Sequence, residues 1–394
     1  MINVLIHFKV DKRRTNNGGS SCKGFKGSLS YIPRCFIVSK NLLRTGHIVN
    51  SVTYYPEKER KSRRRRLAEN ILYLLKYHEV NIYYNSYGLD VKNLYREKDY
   101  IPHRKFVLNR DRGNQKVKST ETGEYNYIAL LRDKYVFAAY LASTIGKHYV
   151  PHSIGVIHNR EVFLVDKNRW ISDEEFFSGT FQYVFKKNDG ECADGVSLVK
   201  VIKGIVEHDG VMESWKEYCK KISNNRILIQ ELIQQHEKLA MLNPNCVNTI
   251  RIVTLSNKLR EIGIFSAFLR LGVTKDSFVD NRAKGGIGVG INLNSGCLEE
   301  YGFAHDAFGT KVEAHPLTGI VFKDYLIPYW NEVKMLVINA HKQFYELQSI
   351  GWDIVISPGG PIILEGNDDW EIGGPQDTGG GLRQRWMELT GVKI

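Results

Sequence analysis

Residues 351–367 read GWDIVISPGGPIILEGN, two apolar runs broken by Pro-Gly-Gly. β-Branched residues on both sides of that break predict a tight hairpin. If Ser357 faces Pro361 across a three-residue loop, antiparallel register sets Asp353 directly opposite Glu365, with Cβ atoms roughly 5 Å apart. Side chains alternate with period two, so Asn367 shares a face with Glu365. Oxygen-bearing side chains inside apolar strands are costly to bury unless a cation sits among them. Two carboxylates and a carboxamide suit a hard cation such as Mg2+ bridged to phosphates, which makes Asp353, Glu365 and Asn367 the predicted metal ligands. The same pattern also fits a hairpin rim of solvated acids, and a one-residue slip would part the faces.

With 394 residues the chain can bury a large core and divide into two or three domains. No run approaches the ~18 apolar residues of a spanning helix. The start, MINVLIHFKVDKRR, places its short apolar run before its charges, unlike a signal peptide, so a cytoplasmic protein is expected. Six cysteines without paired short spacing argue for reduced thiols. The net charge of +12 is local. Residues 1–66 hold sixteen Lys or Arg against three acids, and the rest of the chain is near neutral.

Residues 11–30, rich in Gly and Ser, read as a loop. Residues 60–77, RKSRRRRLAENILYLLKY, predict a helix with Leu67, Ile71, Leu74 and Leu75 on one face and a basic beginning. Basic residues at a helix N-terminus oppose the macrodipole, so residues 58–66 suit an anionic partner or a membrane surface, with no sign of specific nucleic-acid recognition. A solvated helix face is the plainer alternative. Beyond residue 129 strands and helices interleave. Residues 129–146 predict a helix with Tyr135, Phe137, Ala138 and Leu141 inward, 161–165 a strand, 173–177 a helical turn, and 181–185 a strand running into Lys186 and Lys187. Residues 188–196, NDGECADGV, form a small-residue loop suited to covering phosphates. Strands are expected over 227–233, 248–255 and 263–271 and within the glycine-rich stretch from Lys284, and a long helix over 326–347.

Lys134, Lys186 before a glycine loop, QELIQQHE, Arg251, and Asp353 with Glu365-Gly-Asn367 follow one another in an order that resembles the ATP-grasp fold. The strings NTIRIVTL, GGIGVGINL, AHPLTG and GWDIVISPGGPIILEGN resemble its sugar-transfer associated branch. The resemblance implies an α+β architecture of two α/β subdomains clasping ATP. Residues 1–125 would be a basic N-terminal region, 126–229 the first subdomain with its phosphate loop, and 230–394 the second with the metal hairpin. It implies that Lys134 and Lys186 contact ATP phosphates, with Lys187 a rival for the second role. Gln230, where the family usually has Glu, would open the adenine hinge. Glu231 lies beside it, Leu232 would offer backbone groups to the purine, and Glu237 would reach the ribose. Arg251 would grip the transferred phosphate through its planar fork, its alternative being a structural ion pair with an acid.

The implied cofactors are ATP and Mg2+. The implied reaction is an ATP-dependent carboxylate–amine ligation through an acylphosphate, releasing ADP and phosphate, in polysaccharide or glycoconjugate biosynthesis. A phosphotransferase of the same fold is the nearest alternative, and a polyanion- or membrane-binding protein with a degenerate ATP site the more distant one. His305, Asp306 and His315 lie near the motifs and could line an acceptor pocket, although a structural role is the more usual one for each. Residues 372–381, IGGPQDTGGG, read as a loop that could fold over substrate through Gln376.

Overall fold

The structure, a computed structural model, describes residues 31–115, 127–190, 195–273, 285–304 and 311–394. The predicted loop at 11–30, His305 and Asp306, and residues 191–194 of the phosphate loop lie outside them. Contacts divide the chain into a unit over Met1–Arg44 and a second over Thr45–Ile394, and everything below concerns the second.

Two antiparallel sheets organise it. The first has eight strands: β1 (Ser153–His158), β2 (Glu161–Leu164), β3 (Arg169–Ser172), β4 (Thr180–Lys187), β5 (Val196–Ile202), β6 (Ile205–His208), β7 (Val211–Ser214) and β8 (Ile227–Gln230), in the order β3-β2-β1-β8-β4-β5-β6-β7. Val162, Phe185, Val199, Val201, Ile227 and Ile229 turn to one face and are buried with Phe177 and Tyr218 from the helices Asp173–Phe177 and Trp215–Ile222. The second sheet has seven: β9 (Ile250–Ser256), β10 (Ile262–Leu271), β11 (Ile287–Ile291), β12 (Leu298–Ala304), β13 (Lys311–Val312), β14 (Ser349–Ser357) and β15 (Gly360–Asn367), in the order β13-β12-β11-β10-β9-β14-β15. Ile250, Ile252, Leu269, Val289, Trp352, Ile354 and Ile363 fill its larger core with Phe137 and Leu141 of helix Lys134–Thr144 and Val333 and Val337 of helix Trp330–Lys342. Its opposite face buries Val253, Leu255 and Phe265 against Trp370 and Trp386.

Several expected elements are shorter than their apolar runs. Strand β8 stops at Gln230 and irregular backbone follows, in which Gln235 ties the loops together: its Oε1 accepts from the Asn248 N–H at 2.7 Å and its Nε2 donates to the Cys246 carbonyl at 3.2 Å. The long helix is confined to Trp330–Lys342, preceded by Tyr329 in a left-handed conformation (φ 57°). The basic helix begins at Arg63 and not at Arg60. Ser62 caps it by accepting from the Arg65 N–H, while Arg60 pairs with Asp90 at 2.8 Å. Its buried face carries Arg66, Asn70 and Tyr77, whereas Leu67 and Leu75 of the predicted inward face are exposed. Residues 372–381 are not a loop over substrate. Gly373–Gly379 is helical, and Gln376 is buried, its Oε1 accepting from the Ile101 N–H at 2.7 Å and its Nε2 donating to the Tyr87 hydroxyl at 2.9 Å.

Candidate active site

Strands β14 and β15 form the expected hairpin, and Asp353 stands opposite Glu365. The route to that pairing differs from the expected one. The turn has two residues, Pro358 and Gly359, with Ser357 facing Gly360, and the register shifts by one between Ile354 and Asp353, where Leu364 is the extra residue. The core explains the bulge. Ile363 faces Ile354 and both are buried in the large core, so strict alternation would send Glu365 and Asn367 into it as well. One added residue reverses the phase and delivers both to the other face, and edge strands near active sites are where such bulges concentrate.

Neighbouring strands extend this pair into a charged row. Asp353 faces Arg251 on β9, which faces Phe268 on β10, and Arg270 lies two residues further along β10. Arg251 donates from Nε to Asp353 Oδ1 at 2.5 Å and from Nη2 to Oδ2 at 3.1 Å. Arg270 Nη2 lies 2.9 Å from the same Oδ2, while its Nε donates to the Thr249 hydroxyl at 2.8 Å. Arg251 is therefore in the ion pair that was its structural alternative, and its partner is the predicted metal ligand. Burial by itself raises the Asp353 carboxyl, but the charges of Arg251 and Arg270 outweigh it and hold Asp353 well below the usual carboxylate range. Glu365 moves the other way. Burial raises its carboxyl, and Asp353 beside it raises it further, against weaker pulls from Lys134 and Arg251. Sequence reasoning missed Arg270, although its position inside the apolar run FSAFLRL, one residue from the strand's end, is the same signal that selected Arg251.

Lys186 arrives from the first sheet and Lys134 from the start of the helix Lys134–Thr144. Phe185 and Ile229 turn into the core, so Lys186 and Gln230, on adjacent strands, share the opposite face. Lys186 is buried, and burial lowers its ammonium to about 8, with Glu365 pulling up and Lys134 pushing down. Those electrostatic couplings bring Lys134, Lys186, Glu365, Asp353 and Arg251 into one neighbourhood. Lys134 opens its helix behind Asp133, which caps it by accepting from the Val136 N–H. Asn188, which sequence reasoning did not single out, ties this helix to the end of β4: its carbonyl accepts from the Lys134 N–H at 3.1 Å and its side-chain oxygen from the Tyr135 N–H at 2.9 Å. Lys134 Nζ donates to the Gly190 carbonyl. With the first helical amides occupied, Lys134 can meet an anion only through its side chain.

The predicted hinge is partly assembled. Gln230 Nε2 donates to the Ser153 hydroxyl at 3.2 Å, and Gln230 Oε1 is buried with no hydrogen-bond partner among the described residues. An orphaned acceptor there fits an exocyclic amine. Glu231 pairs with His152 at 3.2 Å, and Leu232 is exposed in irregular backbone. Glu237 stands exposed on the first turn of helix Glu237–Leu242, and no contact joins it to the other site residues among those described. His315 is buried, with Nε2 2.9 Å from the Gly272 carbonyl and Nδ1 accepting from the Leu317 N–H, which is a structural role.

The donor set also fits a hard cation. Asn367 Nδ2 donates to the Gly351 carbonyl at 3.3 Å and to Glu365 Oε1 at 3.4 Å, so its Oδ1 is the atom left to ligate. Among the described residues no group of three or more His, Cys, Asp or Glu side chains could hold a metal. Two carboxylates and an amide are too few for an all-protein cage and suit an ion shared with phosphate oxygens.

The family model described as sugar-transfer associated ATP-grasp matches residues 120–391. The chain belongs to the sugar-transfer associated ATP-grasp family. Its two-sheet α+β architecture is the ATP-grasp fold, and the matched segment contains both sheets and every predicted site residue. No curated protein matches the chain. Solved structures similar to this ATP-grasp protein include an L-amino acid ligase from Bacillus licheniformis, at 14% identity and TM-score 0.35, covering 67% of this chain and 45% of that one. D-alanine–D-alanine ligase from Bacillus anthracis is similar at 11% identity and TM-score 0.33, with 61% and 57% covered. N5-carboxyaminoimidazole synthetase from Staphylococcus aureus, complexed with ADP, is similar at 10% identity and TM-score 0.37, with 68% and 54% covered. This chain thus spans less than two thirds of the length of each.

Proposed function

We propose that this ATP-grasp protein is an ATP-dependent carboxylate–amine ligase that forms an amide through an acylphosphate and releases ADP and phosphate. The observation that supports it is the convergence of Lys134, Lys186, Arg251 and Arg270 on one buried carboxylate pair. That pattern serves transfer of a phosphoryl group between oxygens by neutralising its charge, and needs no covalent nucleophile. Asp353, Glu365 and Asn367 would hold Mg2+, which would supply charge neutralisation to the phosphates. Lys134 and Lys186 hold the phosphates, Gln230 Oε1 accepts from the adenine amine, and Arg251 shares its fork between Asp353 and the transferred phosphoryl group. Catalysis is then positioning and electrostatics. The substrate carboxylate oxygen attacks the γ-phosphorus as the bond to ADP breaks. The amine then adds to the acyl carbon, loses a proton and expels phosphate. The acid and amine are expected from surface polysaccharide or glycoconjugate biosynthesis.

The test is trapping. Supplied with ATP, Mg2+, hydroxylamine and a panel of sugar and amino acids, the protein should yield a hydroxamate with stoichiometric ADP. Formation of AMP and pyrophosphate would rule out the acylphosphate route.

A further inference from the structure

The helix Arg63–Tyr77 presents the wrong face to its own protein. Arg66, Asn70 and Tyr77 are buried, with Arg66 Nη1 donating to the Val49 carbonyl and Asn70 Nδ2 to the Arg66 carbonyl at 2.9 Å. Leu67, Leu72 and Leu75 are 37%, 64% and 46% exposed. At 3.6 residues per turn, Arg64, Ala68, Ile71 and Leu75 form one stripe, with Leu67 and Leu72 on its shoulders, opposite the buried face. Arg63 and Arg65 flank the stripe on its two sides, bonded at 3.0 Å to Asn50 and Glu69 through Nε, and Lys76 stands beside its far end, 3.4 Å from Glu97, while Arg64 lies within the stripe. A water-soluble helix turns its apolar stripe to the core and its charges out. Here the polar stripe is inside, and the apolar stripe faces outward between basic margins.

We propose that this helix lies in the plane of an anionic lipid bilayer, with Leu67, Leu72 and Leu75 at the boundary between headgroups and acyl chains and the arginines of its first turn on lipid phosphates. Charge complementarity selects the partner, because the helix opens on the exposed Arg63, Arg64 and Arg65 with no acid in its first turn. A soluble polyanion would satisfy the arginines and leave the leucines in water. A bilayer offers an anionic rim and an apolar interior together, and Arg and Lys stems reach across that boundary. Lying on the surface is the geometry open to it, since no helix of the described residues is long and apolar enough to cross a membrane. The surface is separate from the phosphate-transfer site and does not rest on the ligase reading.

The full chain floated with phosphatidylcholine vesicles, and with vesicles of equal parts phosphatidylcholine and phosphatidylglycerol, tests this. Binding is expected on the anionic vesicles and should weaken with salt. The double variant Leu72→Ser, Leu75→Ser should bind about tenfold less or weaker still. Its melting temperature and ATP affinity should match the parent's, because both side chains are exposed. Arg64→Gln should lower binding and flatten its salt dependence. Leucine-variant binding equal to the parent's would overturn the proposal, leaving a surface that works by charge alone. Absence of vesicle binding, together with a dimer that dissociates on the same leucine changes, would assign the stripe to a second copy.

Discussion

At the residue scale, Asp353 is held by two arginines, Arg251 and Arg270. Arg270 is anchored by Thr249, so it fixes the rotamer and the ionisation of Asp353 without needing to contact nucleotide. Arg270→Met should therefore weaken Mg2+ affinity about 10- to 100-fold, the usual effect of removing an outer partner of a metal ligand. Isothermal titration of Mg2+ against the ATP-loaded protein checks this, with Thr249→Val as a milder variant in the same direction. The ammonium of Lys186, lowered to about 8, sets a second expectation. It is charged below that value and loses its charge as pH rises through it, so ATP affinity should fall on the alkaline side. Glu365 acts in the opposite sense. Its raised carboxyl must release a proton to ligate, so Mg2+ affinity should climb with pH through its titration. A bell-shaped dependence of MgATP affinity is the expected result, and Lys186→Arg should remove only the alkaline limb. Asp353, Glu365 and Arg251 were readable from the sequence because each interrupts an apolar run, whereas the family resemblance alone singled out Lys134 and Lys186. The pairing of Arg251 with Asp353 was not readable, since it depends on strand order β10-β9-β14-β15, which no local pattern encodes.

At the element scale, the hairpin shows how a right pairing can be reached by a different path. A three-residue turn without a bulge and a two-residue turn with one both set Asp353 against Glu365. The core decides between them, because only the second also sends Ile363 inward beside Ile354. Periodicity alone cannot locate such a change of phase. The strand's close packing beyond the bulge makes a prediction. A Cβ on Gly366 would lie 2.9 Å from Leu131 and 3.2 Å from Phe137 and the Trp352 ring. Gly366→Ala should cost about 1–3 kcal/mol in denaturant unfolding. By displacing Glu365 and Asn367 on either side, it should also lower turnover about a hundredfold. The helix Gly373–Gly379 escaped sequence reading for the reverse reason. Its glycines and proline are turn residues by propensity, and burial of Gln376 against Ile101 and Tyr87 overrides them.

For the whole molecule, the ATP-grasp segment and the basic region are not cleanly divided by the charge run. Arg60 pairs with buried Asp90, Lys61 with Glu69 at 3.0 Å, and Arg66 is buried, so residues 60–66 belong structurally to the body. A chain beginning at Thr45 should keep its melting transition and ATP affinity. One beginning at Leu67 should lose about 3–5 kcal/mol by stranding Asp90 alone, and calorimetry of the two truncations distinguishes them. The order of the motifs along the chain made the family, and through it the α+β class, readable from sequence, whereas the fate of the basic helix rested on which stripe faced inward, and that depends on tertiary partners. The row across the second sheet has one more consequence, best seen by counting charge. Lys134, Lys186, Arg251 and Arg270 set against Asp353 and Glu365 leave the cleft with a surplus of two positive charges. A divalent ion would raise the surplus to four, which a nucleoside triphosphate of about four negative charges cancels. A diphosphate alone would leave one positive charge over, so the cleft is ionically matched to the triphosphate, or to the diphosphate together with the phosphoryl group it has given up.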